Sequence, residues 1–268
     1  MTFEEFLREV APRLGLQWKP FRKDGIKRRL ERRIAELGLS AFEQYFEEIN
    51  RHPEEEDRLG EILTVTISRF FRDGETFRIL ETTLIPNLLQ GNHESELTFW
   101  SVGCASGEEP YSLSLLWKKS VARDYPDARL SIIATDINRS VLERAEEGIY
   151  KESSLEEVPE EIRRRFFRPE GRLYLLDEEI RRSVDFRRHH ILRDEPFSEV
   201  SMIFCRNCAF TYFSKESQIE ALKRFAAGLK EEGYLVVGNE ESLPLTYPTL
   251  FVPGFAGQNI CQKFRLNR

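Results

Sequence analysis

The residues most able to do chemistry in this chain lie in one short stretch. Gly103, Ala105, Ser106 and Gly107 form a turn small enough for backbone N–H groups to close on a ligand, and Glu108 and Glu109 follow at the start of a helical run. Two carboxylates there would repel a pyrophosphate but suit a cationic ligand carrying a sulfonium and an ammonium group. Asp136, in ATDIN, ends a second apolar run. In a doubly wound fold an acid at that point accepts hydrogen bonds from ribose hydroxyls, although the same residue also fits a helix N-cap. Turn and acid together favour S-adenosylmethionine over a dinucleotide.

Other reactive residue types are sparse. Cys205 and Cys208 make a lone CxxC with no second pair and no suitably placed histidine, so no metal site is expected, and Cys104 and Cys261 read as reduced, buried thiols. His52 and His93 read as solvated positions. With 40% hydrophobic and 32% charged residues and 20 Phe, the chain has ample core material and no composition of disorder. No run of about 18 apolar residues is available to span a bilayer, and MTFEEFLREV mixes charge too evenly for a signal peptide, which leaves the cytoplasm as the expected compartment. The net charge of -6 conceals a basic stretch, Lys19 to Arg33, with eight basic residues against Asp24 and Glu31. Such a patch suits an acidic partner.

The elements that must position these residues fall into two kinds. Up to about residue 90 the periodicity is helical, with EDRLGEILTVTISRFF read as one helix, Gly38 as a helix stop and Asp73 as the start of the next helix. From Leu97 onward, strand and helix alternate: LTFWSV, the turn, PYSLSLLWKKS, RLSIIATD, SVLERAEEG, SMIFC, SQIEALKRFAAGLK and GYLVVG. That pattern predicts α/β architecture, a largely parallel doubly wound sheet, with QNICQKFRL as a last antiparallel strand. The expected division is a small all-helical domain with a linker helix over residues 1–90 and a Rossmann-like methyltransferase domain over 91–268. The segment from about 150 to 187 interrupts the alternation and is expected to form a small β-hairpin insert.

SVGCASGEEPYSLS resembles the S-adenosylmethionine loop of the CheR-type chemotaxis receptor methyltransferases, IFCRN followed by TYF resembles their fourth-strand motif, and TVTISRFFRD resembles their interdomain helix. The resemblance runs from the basic helix to GNEESL. It implies a protein-glutamate O-methyltransferase that converts S-adenosylmethionine to S-adenosylhomocysteine. Carried over residue by residue, it implies cofactor contacts at Thr66, Ser68 and Arg72, where the family more often shows Asn, Thr and Arg, with Arg72 on the methionine carboxylate. It also implies contacts at Gly103, Ala105, Gly107 and Glu108, the last near the ammonium group, and at Asp136. The family's Asn-Leu pair beside adenine aligns with His190 and Ile191, and Arg206 and Asn207 face the transferred methyl. Tyr212 matches the tyrosine beside the sulfonium, although CAFTYF holds one residue more than the usual spacing.

A glutamate with a pKa of about 4.3 is already a nucleophile at neutral pH, so the chemistry needs alignment and removal of water rather than a general base. Arg206, Asn207 and Tyr212 are the expected catalytic group. Lys27, Arg28, Arg29, Arg32 and Arg33 are expected to dock an acidic helix, the cytoplasmic helix of a methyl-accepting chemoreceptor or a similar protein. The protein is expected to act as a monomer without membrane insertion. The short PEG turn of the insert implies no dependence on a receptor tail peptide. Rival readings are a CheR-like enzyme for another carboxylate, a scaffolding module, and a nucleic-acid methyltransferase. The last is disfavoured because only Trp18 and Phe21 accompany the basic residues.

Overall fold

A computed structural model describes residues 1–91, 95–246, 248–255 and 259–264; His93 lies outside these. Helix α1 (Phe3–Val10) starts with a capping box, Thr2 accepting from the Glu5 amide while the Glu5 side chain accepts from that of Thr2. Helices α2 (Asp24–Glu36), α3 (Phe42–Arg51) and α4 (Glu54–Ile62) follow. In α2 the residues Ile26, Leu30 and Ile34, each one turn apart, are buried, which turns Lys27, Arg28 and Arg32 outward. They pack with Phe6, Tyr45, Ile49 and Leu59 into one core. Gly38 takes a φ of 71° just past α2.

The linker helix expected over residues 64–73 does not form. Helix α4 ends at Ile62, and residues 64–69 have no regular secondary structure. Thr64, Val65, Thr66 and Ile67 are all β-branched and lose side-chain freedom in a helix, and Phe71 and Asp73 sit at positive φ, 53° and 62°. Asp73 precedes α5 (Gly74–Ile79) as expected but does not cap it with its side chain. A π-helical turn, Leu80–Leu84, leads into α6 (Ile85–Gly91).

The second part is built on a seven-stranded sheet. Strands β1 (Glu96–Val102) and β2 (Arg129–Asp136) pair in parallel, and so do β1 and β7 (Val200–Cys205). Helix α7 (Glu108–Leu116), a π turn and α8 (Ala122–Asp124) connect β1 to β2, and α9 (Arg139–Glu147) leaves β2. The insert holds β3 (Ile149–Lys151), α10 (Glu160–Phe166), β4 (Phe167–Glu170), β5 (Leu173–Leu176) and α11 (Glu178–Arg182). It is larger than the hairpin expected: β3, β5 and β4 form a three-stranded antiparallel sheet. It is also shorter at its far end, because β6 (Val184–Arg188) returns to the main sheet beside β2. After β7 come the one-turn α12 (Ala209–Tyr212), α13 (Lys215–Gly228) and β8 (Leu229–Val237), then β9 (Phe251–Pro253) and β10 (Ile260–Lys263). The order is β6-β2-β1-β7-β8-β10-β9, with β10 antiparallel to β8 as expected and β9 at the edge.

Strand order reverses between β1 and β7. A parallel sheet opens a crevice beyond the carboxyl ends of its strands at such a point. Those ends are Val102 and Cys205, so the small-residue turn and the Arg206-Asn207 pair are neighbours by topology alone.

Candidate active site

The turn after β1 has alternating backbone handedness, with φ of 67° at Gly103, 50° at Ala105 and 88° at Gly107. A non-glycine residue in that region carries strain, and Ala105 is held there by its N–H donating to Asp136 Oδ2 at 3.1 Å. Below the turn, Cys104 N–H donates to Thr135 O at 2.9 Å and the Tyr150 hydroxyl to Ser106 O at 2.7 Å.

Two joined clefts open here. One, about 940 Å³ including its open side, is walled by Leu16, Phe21, Gly60, Leu63 and Thr64 of the helical part and by Gly103, Asp136, His190, Ile191, Asn207 and Tyr212 of the sheet part. The other is smaller and more polar, lined by Val65, Ile67, Ser68, Arg72, Gly103, Ala105, Glu109, Arg206 and Asn207. Val65, Gly103 and Asn207 border both. A mainly apolar chamber with one acid, beside a polar one with an arginine, matches a nucleoside joined to an amino acid.

The charges fit that division. Asp136 is buried, and loss of water pushes its carboxyl up to about 6 although N–H groups of Ala105 and Asn138 donate to it. Each oxygen takes one backbone donor, which leaves lone pairs for hydroxyls in the apolar cleft. Glu108 lies behind Ser68 and away from the lining of both clefts. It is 5% exposed, its Oε2 has no partner, and burial pushes it up to about 7 against its own backbone amide, Arg144 and Ser68. A buried carboxylate oxygen without a donor is what an ammonium group would complete. Arg72 is half-buried in the polar cleft, and among the described residues its guanidinium meets no carboxylate.

Three expected contacts are corrected. Thr66 faces neither chamber. It lines a separate cleft with Arg29, Arg32, Arg58, Asn138, Ser140 and Arg144, because an extended segment turns it to the side opposite Val65 and Ile67. Gly107 faces the core, where an added Cβ would lie 3.0 Å from Ala145 and Tyr111 and 3.1 Å from Phe186. Gly107→Ala is therefore expected to lower stability by about 1–3 kcal/mol through strain and overpacking, read as a fall in Tm; an unchanged Tm would show that the turn relaxes. Arg206 has its charge consumed structurally, Nη1 on Glu109 at 3.1 Å and Nη2 on Asp73 at 2.6 Å and on Arg72 O at 2.7 Å. It braces the linker against β7 from the lining of the polar cleft.

Asn207, at a φ of 54°, turns the chain into the cleft. Tyr212 lines the apolar chamber beside Asn207 and stacks on Phe21 with ring centroids 5.3 Å apart. His190 and Ile191 line the opposite wall; burial lowers the His190 pKa, which keeps its ring neutral, and its Nδ1 accepts from Leu192 N–H at 3.2 Å. Sequence reading passed over Asp73 and Glu109 as partners of Arg206, and over His189, whose ring packs edge-on to Trp100 beneath the same wall. Only the acid following the turn carried a sequence signal.

On α2 the basic residues divide. Arg33 is a further correction, because it is bidentate on the buried Glu55 at 2.8 and 2.7 Å, with the Tyr45 hydroxyl on the same carboxylate at 2.8 Å. Lys27 and Arg32 make only loose exposed pairs with Glu31 (3.7 Å) and Glu36 (3.6 Å). Arg28 is exposed, and Arg29 is half-buried on Thr64 O.

Residues 1–64 match the model of the CheR methyltransferase all-alpha domain, and residues 66–253 that of the CheR methyltransferase SAM binding domain. The chain belongs to the CheR methyltransferase family. Among curated CheR relatives, the chemotaxis protein methyltransferase of Listeria innocua is 33% identical over 238 residues, covering 89% of this chain and 88% of the relative. Chemotaxis protein methyltransferase 2 of Pseudomonas aeruginosa is 32% identical over 250 residues, 90% of this chain and 87% of its own. The Escherichia coli chemotaxis protein methyltransferase is 30% identical over 251 residues, 90% and 84%. S-adenosylmethionine is thus the cofactor. No helix among the described residues is long and apolar enough to cross a membrane.

Proposed function

We propose that this CheR protein transfers methyl from S-adenosylmethionine to glutamate side chains of methyl-accepting chemoreceptors in the cytoplasm, giving glutamate methyl esters. The observation that supports the reading is the junction of two clefts at Asn207, one holding Asp136 and Tyr212 and the other Arg72, with the orphaned Glu108 oxygen behind Ser68 and no nucleophile or strong base among them. In this reading Asp136 holds the ribose hydroxyls. Arg72, with Ser68 and the Gly103 to Ala105 backbone, holds the methionine carboxylate, Glu108 attracts the ammonium group, and His190 and Ile191 flank adenine. The bound cofactor supplies a methyl group on a positively charged sulphur. Asn207 and Tyr212 align an acceptor that is already ionised, and the walls contributed by Leu16, Phe21 and Leu63 exclude water from it.

The exposed side of α2 is the docking surface for the acidic acceptor helix, with Lys27, Arg28, Arg29 and Arg32 but not Arg33. Arg58 and Arg144 extend the positive charge across the junction. Arg28→Glu combined with Arg32→Glu is expected to raise KM for the acceptor roughly tenfold, since each exposed pair is worth up to about 1 kcal/mol and repulsion replaces it. S-adenosylhomocysteine affinity should stay unchanged, and its loss would refute the docking role. The acceptor itself is tested with labelled cofactor and purified receptor cytoplasmic fragments. Label released as methanol by mild alkali supports a carboxylate ester, whereas alkali-stable label or none would overturn the assignment.

A further inference from the structure

Past Arg206 the chain enters the cleft through the left-handed Asn207 and the single turn of α12 ending at Tyr212, a turn whose carbonyl side is held by Gln17 and Gln218. Both converge on one carboxylate. Glu241, after β8, is 6% exposed; one oxygen accepts from the N–H groups of Asn207 and Gly238, each at 2.7 Å, and the other from the Thr211 hydroxyl at 2.6 Å. Gly238 has to be glycine for this arrangement, since a Cβ would lie 2.8 Å from Asn207 Nδ2 and 2.9 Å from Glu241 Oε2. The loop carrying Glu241 is fixed in turn by the Asn259 amide, which donates to the carbonyls of Gly238 (2.6 Å), Asn239 (2.8 Å) and Glu241 (2.9 Å).

We propose that Glu241 is the positioning residue of the transfer site, a clip across the ends of β7 and β8 that sets Asn207 and, through Thr211, the turn bearing Tyr212. It acts through those residues and touches neither cofactor nor acceptor. The role rests on the methyl-transfer reading above. Two backbone donors at strand ends need an acceptor, and a carboxylate serves both with charge-assisted bonds while reaching a third donor. Glutamine can reproduce the pattern, its carbonyl oxygen taking the two N–H groups and its amide donating to the Thr211 oxygen. Alanine leaves all three donors without an acceptor.

The test compares full-length wild type, Glu241→Ala, Glu241→Gln and Thr211→Val below every melting transition. It measures S-adenosylhomocysteine affinity by calorimetry, amide exchange over residues 206–213, and kcat per S-adenosylhomocysteine-binding site with a receptor cytoplasmic fragment. For Glu241→Ala, kcat per site is expected to fall roughly 10- to 100-fold, as small misplacements at reacting centres do, and exchange over 206–213 to quicken. Glu241→Gln should recover most of both. Thr211→Val should lower kcat while leaving S-adenosylhomocysteine affinity intact, because Asn207 keeps its acceptor. Wild-type exchange in Glu241→Ala, an undiminished kcat per site, or equal losses in the alanine and glutamine variants would overturn the proposal. If wild type leaves the fragment unmethylated, the receptor assignment fails by itself, and the exchange comparison still decides the clip.

Discussion

Replacing Asp136 with asparagine should weaken S-adenosylhomocysteine binding about 100-fold. The carboxylate lies at the end of β2 with most of its hydration gone, which is why its pKa rises to about 6. Each oxygen already accepts one backbone N–H, from Ala105 and from Asn138, and offers a second lone pair to the cleft. Hydrogen bonds to a charged acceptor contribute about 1.5–3 kcal/mol each, so losing the ionised partner of two ribose hydroxyls costs about 3 kcal/mol or more, or two decades in Kd. The amide must also turn its NH2 toward either a backbone donor or a ribose hydroxyl. Calorimetry with S-adenosylhomocysteine reads the effect directly. Affinity within about threefold of wild type would mean that the nucleoside is not held at this acid.

The second large effect is in pH. Burial raises Glu108 to about 7, so below that pH the free protein holds this carboxyl protonated and neutral. In the proposed reading the cofactor's ammonium group reaches Glu108 past Ser68 and favours the ionised form, so binding expels a proton at low pH and affinity climbs with pH until the group is ionised without help. For one group the limiting slope is about tenfold per pH unit, so a gain of about tenfold is expected between pH 6 and pH 8, with a plateau above. Asp136, raised to about 6, adds in the same direction at lower pH. Calorimetry in buffers of different ionisation enthalpy counts the protons, and Glu108→Gln should flatten the profile. Without ligand the sign reverses. Both carboxyls have folded values above their unfolded ones, so they favour folding below about 4.5 and this contribution is lost as pH rises through about 6 to 7. A pH-independent affinity from 6 to 8 would show that Glu108 does not ionise on binding.

The turn, Asp136 and the succession of strand and helix were legible in the sequence because each is a local pattern: small residues between an apolar run and a helix, an acid at a strand end, a change of period from 3.6 to 2. What was misread depends on partners distant in the chain. Arg33 looks like its neighbours on α2 until Glu55 is brought against it from α4. Arg206 has the position of a reactive-site arginine and the contacts of a brace, with Asp73 and Glu109 on either side. The segment from Thr64 to Asp73 has apolar residues at helical spacing, but its β-branched run and two left-handed residues favour an extended path, and that choice alone moved Thr66 out of the cleft. Strand β6, VDFRR, was missed because only Val184 is buried and its charged residues have the profile of a loop. Glu241 offered no local cue, its three donors being contributed by Asn207, Thr211 and Gly238.

The apolar chamber takes one wall from α4 and the linker, through Gly60, Leu63 and Thr64, and the other from the sheet, through Asp136, His190 and Ile191. A molecule seated there is mortar between two bodies of masonry. Ligand that binds only the assembled form adds RT ln(1 + [L]/Kd) to its stability, about 2.7 kcal/mol at a concentration of 100 Kd. With the cofactor seated as proposed, the helices at the amino end would draw part of their hold on the remainder of the molecule from a metabolite, and a cell short of that metabolite would carry this protein in a looser form.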